Sequence, residues 1–308
     1  MIEDARVSLR SALDMNVARD RLVGIYLVIA SAVLWSTAGL FVRMADMDVW
    51  SLVAWRSAFS VITLGAFMLV RTTTVRRRPA KTFGLPGVVA CLVSAVTAIS
   101  YIVSLQWTTV ANVMTVYAAL PFVATGIAFV WLRDQVTRRF VIAGCAAFIG
   151  VAISVGAAVS ATDILGVLAA LVMTVGCAIQ IVITKRFPSM DSTMMTVYAA
   201  LVCFCVSLPL MQVSLPSPTQ LFACAFYGVL TTGVGYILLL LGSRRIGSGE
   251  AGLLSMLDVV LGPLWVLLFY NEHISLPVLA GGTIVLAAVI WYLIGDPKTM
   301  GAAVSTSA

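Results

Sequence analysis

Residues 134–150 read DQVTRRFVIAGCAAFIG, and residues 272–288 read EHISLPVLAGGTIVLAA. The two stretches align without a gap at an offset of 138 residues. In each, an apolar run ends in an acid (Asp134, Glu272), a hydroxyl residue follows three positions later (Thr137, Ser275), and a glycine ten later (Gly144, Gly282). An offset of 142 superposes Gly24, Ala30 and Arg43 on Gly166, Val172 and Lys185, so that a basic residue closes both apolar runs. The chain is therefore a sequence duplication, and the repeat unit decides the fold.

Working outward, the unit contains five apolar segments. Across 308 residues, 61% are apolar and 10% charged, with a mean hydropathy of +1.06. A soluble domain carries about 25% charged residues, so this chain must be solvated by lipid. A membrane-crossing helix needs about 20 apolar residues. The predicted spans are 22–44, 49–70, 84–106, 109–132, 139–159, 163–184, 193–213, 219–242, 249–270 and 275–294. Five crossings per unit force the second copy to enter the membrane upside down. The expected fold is thus all-α and integral to the membrane, with ten transmembrane helices as two inverted five-helix repeats. Residues 1–21 form a cytoplasmic N-terminal tail, 22–160 the first repeat, 161–294 the second, and 295–308 a cytoplasmic C-terminal tail.

The loop charges test this count independently. Lys and Arg number 4, 0, 5, 0, 3, 0, 2, 0, 2, 0 and 1 from the N-terminal tail to the C-terminal tail, counting Arg139 at the edge of the fifth span with its loop and leaving Arg43 and Arg56 inside spans. Basic residues stay on the cytoplasmic side, so the alternation places both ends inside the cell. Trp50 and Trp107 then fall at the outer interface and Trp131 and Trp291 at the inner one, where amphipathic rings anchor. The run Arg76-Arg77-Arg78 with Lys81 is accounted for by the same bias. A net charge of +6 spread over short loops is not the footprint of a nucleic-acid partner. All six cysteines lie in apolar segments and read as small buried hydrophobes. A single histidine, His273, excludes a histidine-based metal or catalytic cluster, and no cofactor is implied. The apolar positions Ile2, Ala5, Leu9, Leu13 and Val17 recur at helical spacing, as in a short helix lying on the membrane surface. One identity misleads: MTVYAAL occurs at 114–120 and at 195–201, but the match stops at both ends and breaks the five-helix register.

Inverted repeats place a transporter's substrate near the midplane between the halves. An ionisable group in lipid costs from about 2.5 to well above 10 kcal/mol, so Asp258, near the midplane of the ninth span, and Arg56, in the second, are the first candidates. They read either as substrate or proton sites or as an internal ion pair locking helices together. Ser255, Asp258, Gly262 and Trp265 follow helical steps on one side of the ninth span. Ser94, Thr97, Tyr101, Ser104 and Thr108 do so on the third, where interhelical hydrogen bonds explain the small hydroxyls and Tyr101 suits a cavity wall. Trp35, Tyr117, Gln180 and Tyr236 complete the pocket candidates, each weighed against plain core packing. Pro121 and Pro263 interrupt the backbone ladder of the fourth and ninth spans, as a gating pair from opposite halves would.

This pattern resembles the drug/metabolite transporter superfamily, and within it the bacterial EamA-type exporters. The resemblance rests on Pro121, Asp134 and Gly144 in one half and Glu272 and Gly282 in the other. The chain departs from the pattern at Val259, where a second proline is expected and which Pro263 follows. The stretch Ser100-Tyr-Ile-Val-Ser-Leu-Gln-Trp107 is similar to the branch exporting aromatic amino acids. The resemblance implies export of a small molecule from the bacterial inner membrane. For an amino-acid zwitterion, Asp258 would meet the ammonium and Arg56 the carboxylate, with aromatic rings enclosing the side chain. No Gly-x-x-x-x-Gly-Lys-[Ser/Thr] loop occurs, so ATP does not drive transport directly. Efflux of lipophilic cations is the rival transport reading. A membrane enzyme would need paired carboxylates or a His/Cys constellation, and a channel a selectivity loop.

Overall fold

The computed structural model describes residues 2–74, 84–133, 138–156, 161–188, 190–212, 214–246 and 248–294. Asp134, Thr137 and the Arg76–Lys81 cluster lie outside the described residues. The described chain is helical throughout, in the order α1 (Ile2–Ser36), α2 (Ala38–Ala45), α3 (Val49–Thr74), α4 (Leu85–Trp107), α5 (Val110–Ala118), α6 (Leu120–Leu132), α7 (Arg138–Val155), α8 (Ala161–Arg186), α9 (Ser192–Ser207) and α10 (Pro218–Phe226). A π-helix (Tyr227–Val234) follows, then α11 (Gly235–Gly242), α12 (Ser248–Ser255), α13 (Leu257–Tyr270) and α14 (Leu276–Ile294).

Seven segments are long and apolar enough to cross a membrane: Arg19–Ala45, Val49–Arg71, Leu85–Trp107, Val110–Leu132, Arg138–Val155, Ala161–Arg186 and Pro218–Gly242. The other three apolar helices, Ser192–Ser207, Leu257–Tyr270 and Leu276–Tyr292, are shorter than the expectation of ten full spans. Their outer faces are apolar all the same: Leu276 is 80% exposed and Leu268 63%, surface that only lipid would cover. The N-terminal helix also differs from expectation, since Ile2–Ser36 runs unbroken into the first span.

The duplication is visible in the backbone. Arg133 and Asn271, 138 residues apart, both cap their helices in the left-handed conformation, at φ of 57° and 50°. The helix breaks at Ala119 and Met256 also correspond to within one residue under that offset. Packing obeys the same exchange: α4 lies on α8 as α11 lies on α1, α6 on α8 as α13 on α1, and α4 on α9 as α3 on the π-helix. The counterparts α3 and α9, and α7 and α14, pair directly, and α5 packs on α13, the counterpart of α6. Where α7 meets α14, the backbones touch. A methyl group at Gly150 would lie 2.6 Å from the Gly281 carbonyl oxygen, and one at Gly281 2.3 Å from that of Gly150. Small residues permit such approach between helices in lipid. The core draws Leu52, Ile102, Leu105, Val113 and Phe122 from the first half and Val259, Val266 and Val285 from the second.

Candidate functional site

A cavity of about 270 Å³ lies between the two halves. Arg56 enters it from α3 and Asp258 from α13, and each residue is 6% exposed. Among the described residues Arg56 forms no ion pair, and neither does Asp258, so the interior-lock reading is not what the structure builds. Arg56 Nε and Asp258 Oδ1 are buried without hydrogen-bond partners. The Arg56 guanidinium carbon sits 5.2 Å from the centroid of the Tyr227 ring, a cation–π contact. Burying two opposite charges unpaired is expensive, and a ligand bringing both missing partners would offset it.

Local structure positions each charge. Asp258 follows immediately on the helix break at Met256 and occupies the first turn of α13. There the unpaired N–H groups and helix dipole favour an anion. Arg56 lies on α3 against the π-helix. Gly228 brings that segment so close that a methyl group there would meet the Arg56 carbonyl oxygen at 2.5 Å. Ser60 Oγ donates within this contact, to the carbonyls of Arg56 (2.9 Å) and Gly228 (3.2 Å).

Of the residues singled out from sequence, Trp35, Arg56, Tyr101, Tyr117, Gln180, Tyr236 and Asp258 line the cavity. Ser255 and Trp265 do not. Met256 interrupts the helix between Ser255 and Asp258, and the Ser255 hydroxyl turns back to donate to the Ala251 carbonyl (2.8 Å). Trp265 points away to α1, its Nε1 donating to Ser36 Oγ at 2.9 Å. The two prolines also divide. Pro121 sits in the first turn of α6, just past the break at Ala119, where a missing N–H is tolerated. Pro263 lies inside α13, and the ninth segment breaks seven residues earlier, at Met256, with no proline there. Sequence reading missed Tyr227, Thr231, Cys177 and Cys203 in the lining. The signal available was the glycine-rich run Gly228, Gly233 and Gly235, which marks close helix approach. The described cysteines are all free, and no group of three or more His, Cys, Asp or Glu side chains assembles among the described residues.

One end of the bundle is tied by a second polar cluster. Glu272 accepts from Arg43 through Oε2 (Nη2 at 3.0 Å, Nε at 3.1 Å) and from the Val110 backbone N–H through Oε1 at 2.7 Å. Arg43 Nη2 also donates to the Thr108 carbonyl at 3.0 Å. One carboxylate thus joins α2, the start of α5 and the turn after α13. Both side chains are mostly buried, with exposures of 25% and 18%. Glu272→Ala should destabilise the protein by about 1–3 kcal/mol, because it leaves the Arg43 guanidinium and the Val110 N–H without their acceptor. Arg43→Ala should cost a similar amount and the double variant little more than either, since the residues share one network. Thermal melting of the purified variants in detergent checks this.

A lipid-facing helical bundle with a central polar cavity holding one unpaired acid and one unpaired base has the build of a small-molecule transporter. The EamA-like transporter family matches residues 22–156 and again residues 164–294, and the chain belongs to that family. It is a multi-pass membrane transporter of small molecules. One solved crystal structure superposes on it with a TM-score of 0.63, covering 90% of this chain and 98% of its own, at 16% identity, a likeness of fold alone. Comparison with curated protein sequences finds no match.

Proposed function

We propose that this chain exports amino acids or closely related zwitterionic metabolites across the bacterial inner membrane by alternating access. It crosses ten times as two inverted five-helix halves, with both ends cytoplasmic. The observation that carries the reading is the pair Arg56 and Asp258, which face one cavity without pairing to each other or to any other described charge. A zwitterion supplies a carboxylate to the first and an ammonium to the second. Trp35, Tyr101, Tyr117 and Tyr236 line the same cavity and enclose the rest of the substrate. The Arg43–Glu272 cluster links the first half to the second at the predicted outer face, and outward opening requires it to separate. The aromatic lining beside Asp258 favours one rival, efflux of lipophilic cations; Arg56 in the same cavity repels them.

The test is uptake of labelled amino acids into proteoliposomes, with and without an imposed pH gradient, beside a panel of lipophilic cations. Saturable amino-acid uptake is the expected result, and a response to the gradient would add proton coupling. Saturable cation uptake with no amino-acid uptake by folded protein would overturn the reading.

A further inference from the structure

The cavity is polar at two levels. Along α4 its lining runs from Ser94 to Tyr101, about 10 Å at 1.5 Å per residue. Tyr101 stands at the charged level, within electrostatic reach of Asp258 and Tyr227. Ser94 and Thr97 stand at the other level with Gln180 of α8 and Thr196 of α9. Met173, Cys177 and Cys203 supply a softer, apolar part of the same wall.

Gln180 is held in a set orientation. Thr97 Oγ1 donates its single hydrogen to the Val93 carbonyl at 2.7 Å, so toward Gln180 it can only accept. Gln180 Nε2 fills that role at 3.1 Å, which fixes the side-chain nitrogen toward α4 and leaves Oε1 with no hydrogen bond among the described residues. The contact depends on a missing side chain. A methyl group at Gly176, one turn before Gln180, would lie 2.1 Å from Thr97 Oγ1. Glycine there lets the hydroxyl reach the α8 surface and hold the amide. The cavity therefore presents an oriented acceptor one helical turn from its charged level, roughly 6 Å along α4 between Thr97 and Tyr101.

We infer that Gln180 is a specificity-determining residue that reads a hydrogen-bond donor at the far end of the substrate. On the zwitterion reading above, on which this rests, the charged level holds the amino-acid head group. The two levels then select a side chain long enough to reach from one to the other and ending in an amide or hydroxyl. An apolar side chain of equal length would leave Gln180 Oε1 buried without a partner. Sites built to pair a polar group reject analogues lacking it far more strongly than apolar pockets reject a missing methylene.

The experiment uses matched pairs differing mainly in the terminal group, glutamine against methionine and tyrosine against phenylalanine, competing for uptake in proteoliposomes. Wild-type protein should prefer the polar-ended member of each pair by about tenfold or more. Gln180→Leu should bring both ratios close to one by weakening the polar-ended substrates while leaving the apolar-ended ones unchanged. Thr97→Val, which frees the amide to rotate, should fall between. Thermal melting confirms that each variant is folded. A wild-type ratio near one in both pairs overturns the inference and leaves the zwitterion reading standing. So does a Gln180→Leu variant that weakens all four substrates equally. Folded wild-type protein that takes up no zwitterion removes both.

Discussion

Asp258→Asn should abolish saturable amino-acid uptake while leaving the protein folded. The substitution keeps the size of the side chain, removes its charge and turns one acceptor oxygen into a donor. Asp258 is 6% exposed, its Oδ1 has no hydrogen-bond partner, and among the described residues it forms no ion pair to another helix. On the zwitterion reading proposed above, a substrate ammonium does depend on its charge. Removing one partner of a buried, hydrogen-bonded charge pair costs about 2–5 kcal/mol, which is a loss of roughly 30-fold or more in affinity. Arg56→Gln should cause a comparable loss for the intact amino acid. The two variants separate with a decarboxylated analogue, which keeps the amine alone. Its binding should be lost in Asp258→Asn and preserved or improved in Arg56→Gln, where a repelling cation is gone. Competition for labelled substrate measures all of these. Equal loss of both ligands in both variants would mean that the charges support the structure rather than the ligand.

The largest effect on folding is expected at the crossing of α7 and α14. Gly281→Ala places a methyl group where the Gly150 carbonyl oxygen already stands, at 2.3 Å. The obstructing atom belongs to a backbone, not to the flexible end of a side chain, so neither helix can yield locally. Overpacking costs about 1–3 kcal/mol where side chains can shift, and about 3 kcal/mol or more is expected here on the same grounds. Gly126→Ala supplies the control, because nothing lies within 4 Å of a methyl group at that position. Gly281→Ala should show a lowered melting temperature and aggregate in detergent, with Gly126→Ala indistinguishable from wild type. An unchanged melting temperature for Gly281→Ala would show that the two helices are farther apart than described.

Much of this molecule is written in one dimension. Long apolar runs, acids at a fixed offset and alternating loop charge all survive without knowledge of contacts, so the helices and the duplication are legible directly. Arg56 and Asp258 stand out for the same reason, since a charge in an apolar run is conspicuous. What fails is the assumption of one continuous helical period. Ser255 and Trp265 belong to the Asp258 stripe only if the ninth segment is unbroken, and the turn at Met256 interrupts it. Pro263 drew attention to the wrong turn, because the break follows the duplicated position and not the proline. Tyr227 and Thr231 lie in a π-helix, where steps of three and four residues no longer mark one face. The repeated heptapeptide shows the limit from the other side. Tyr117 faces the cavity, whereas Tyr198, in the same local sequence, is 38% exposed. Identical residues took different surroundings because the five-helix register, not the local string, sets orientation.

The unpaired charges also bear on the pace of the two halves of a transport cycle. For a carrier working as proposed, substrate neutralises Arg56 and Asp258 together, so the loaded protein passes through its closed intermediate with both satisfied. The unloaded protein must make the return passage with a guanidinium and a carboxylate exposed to a low-dielectric interior and no counter-charge at hand. That return is therefore the slower leg. One-for-one exchange should outrun net efflux, and substrate supplied on the receiving side should hasten release from the other.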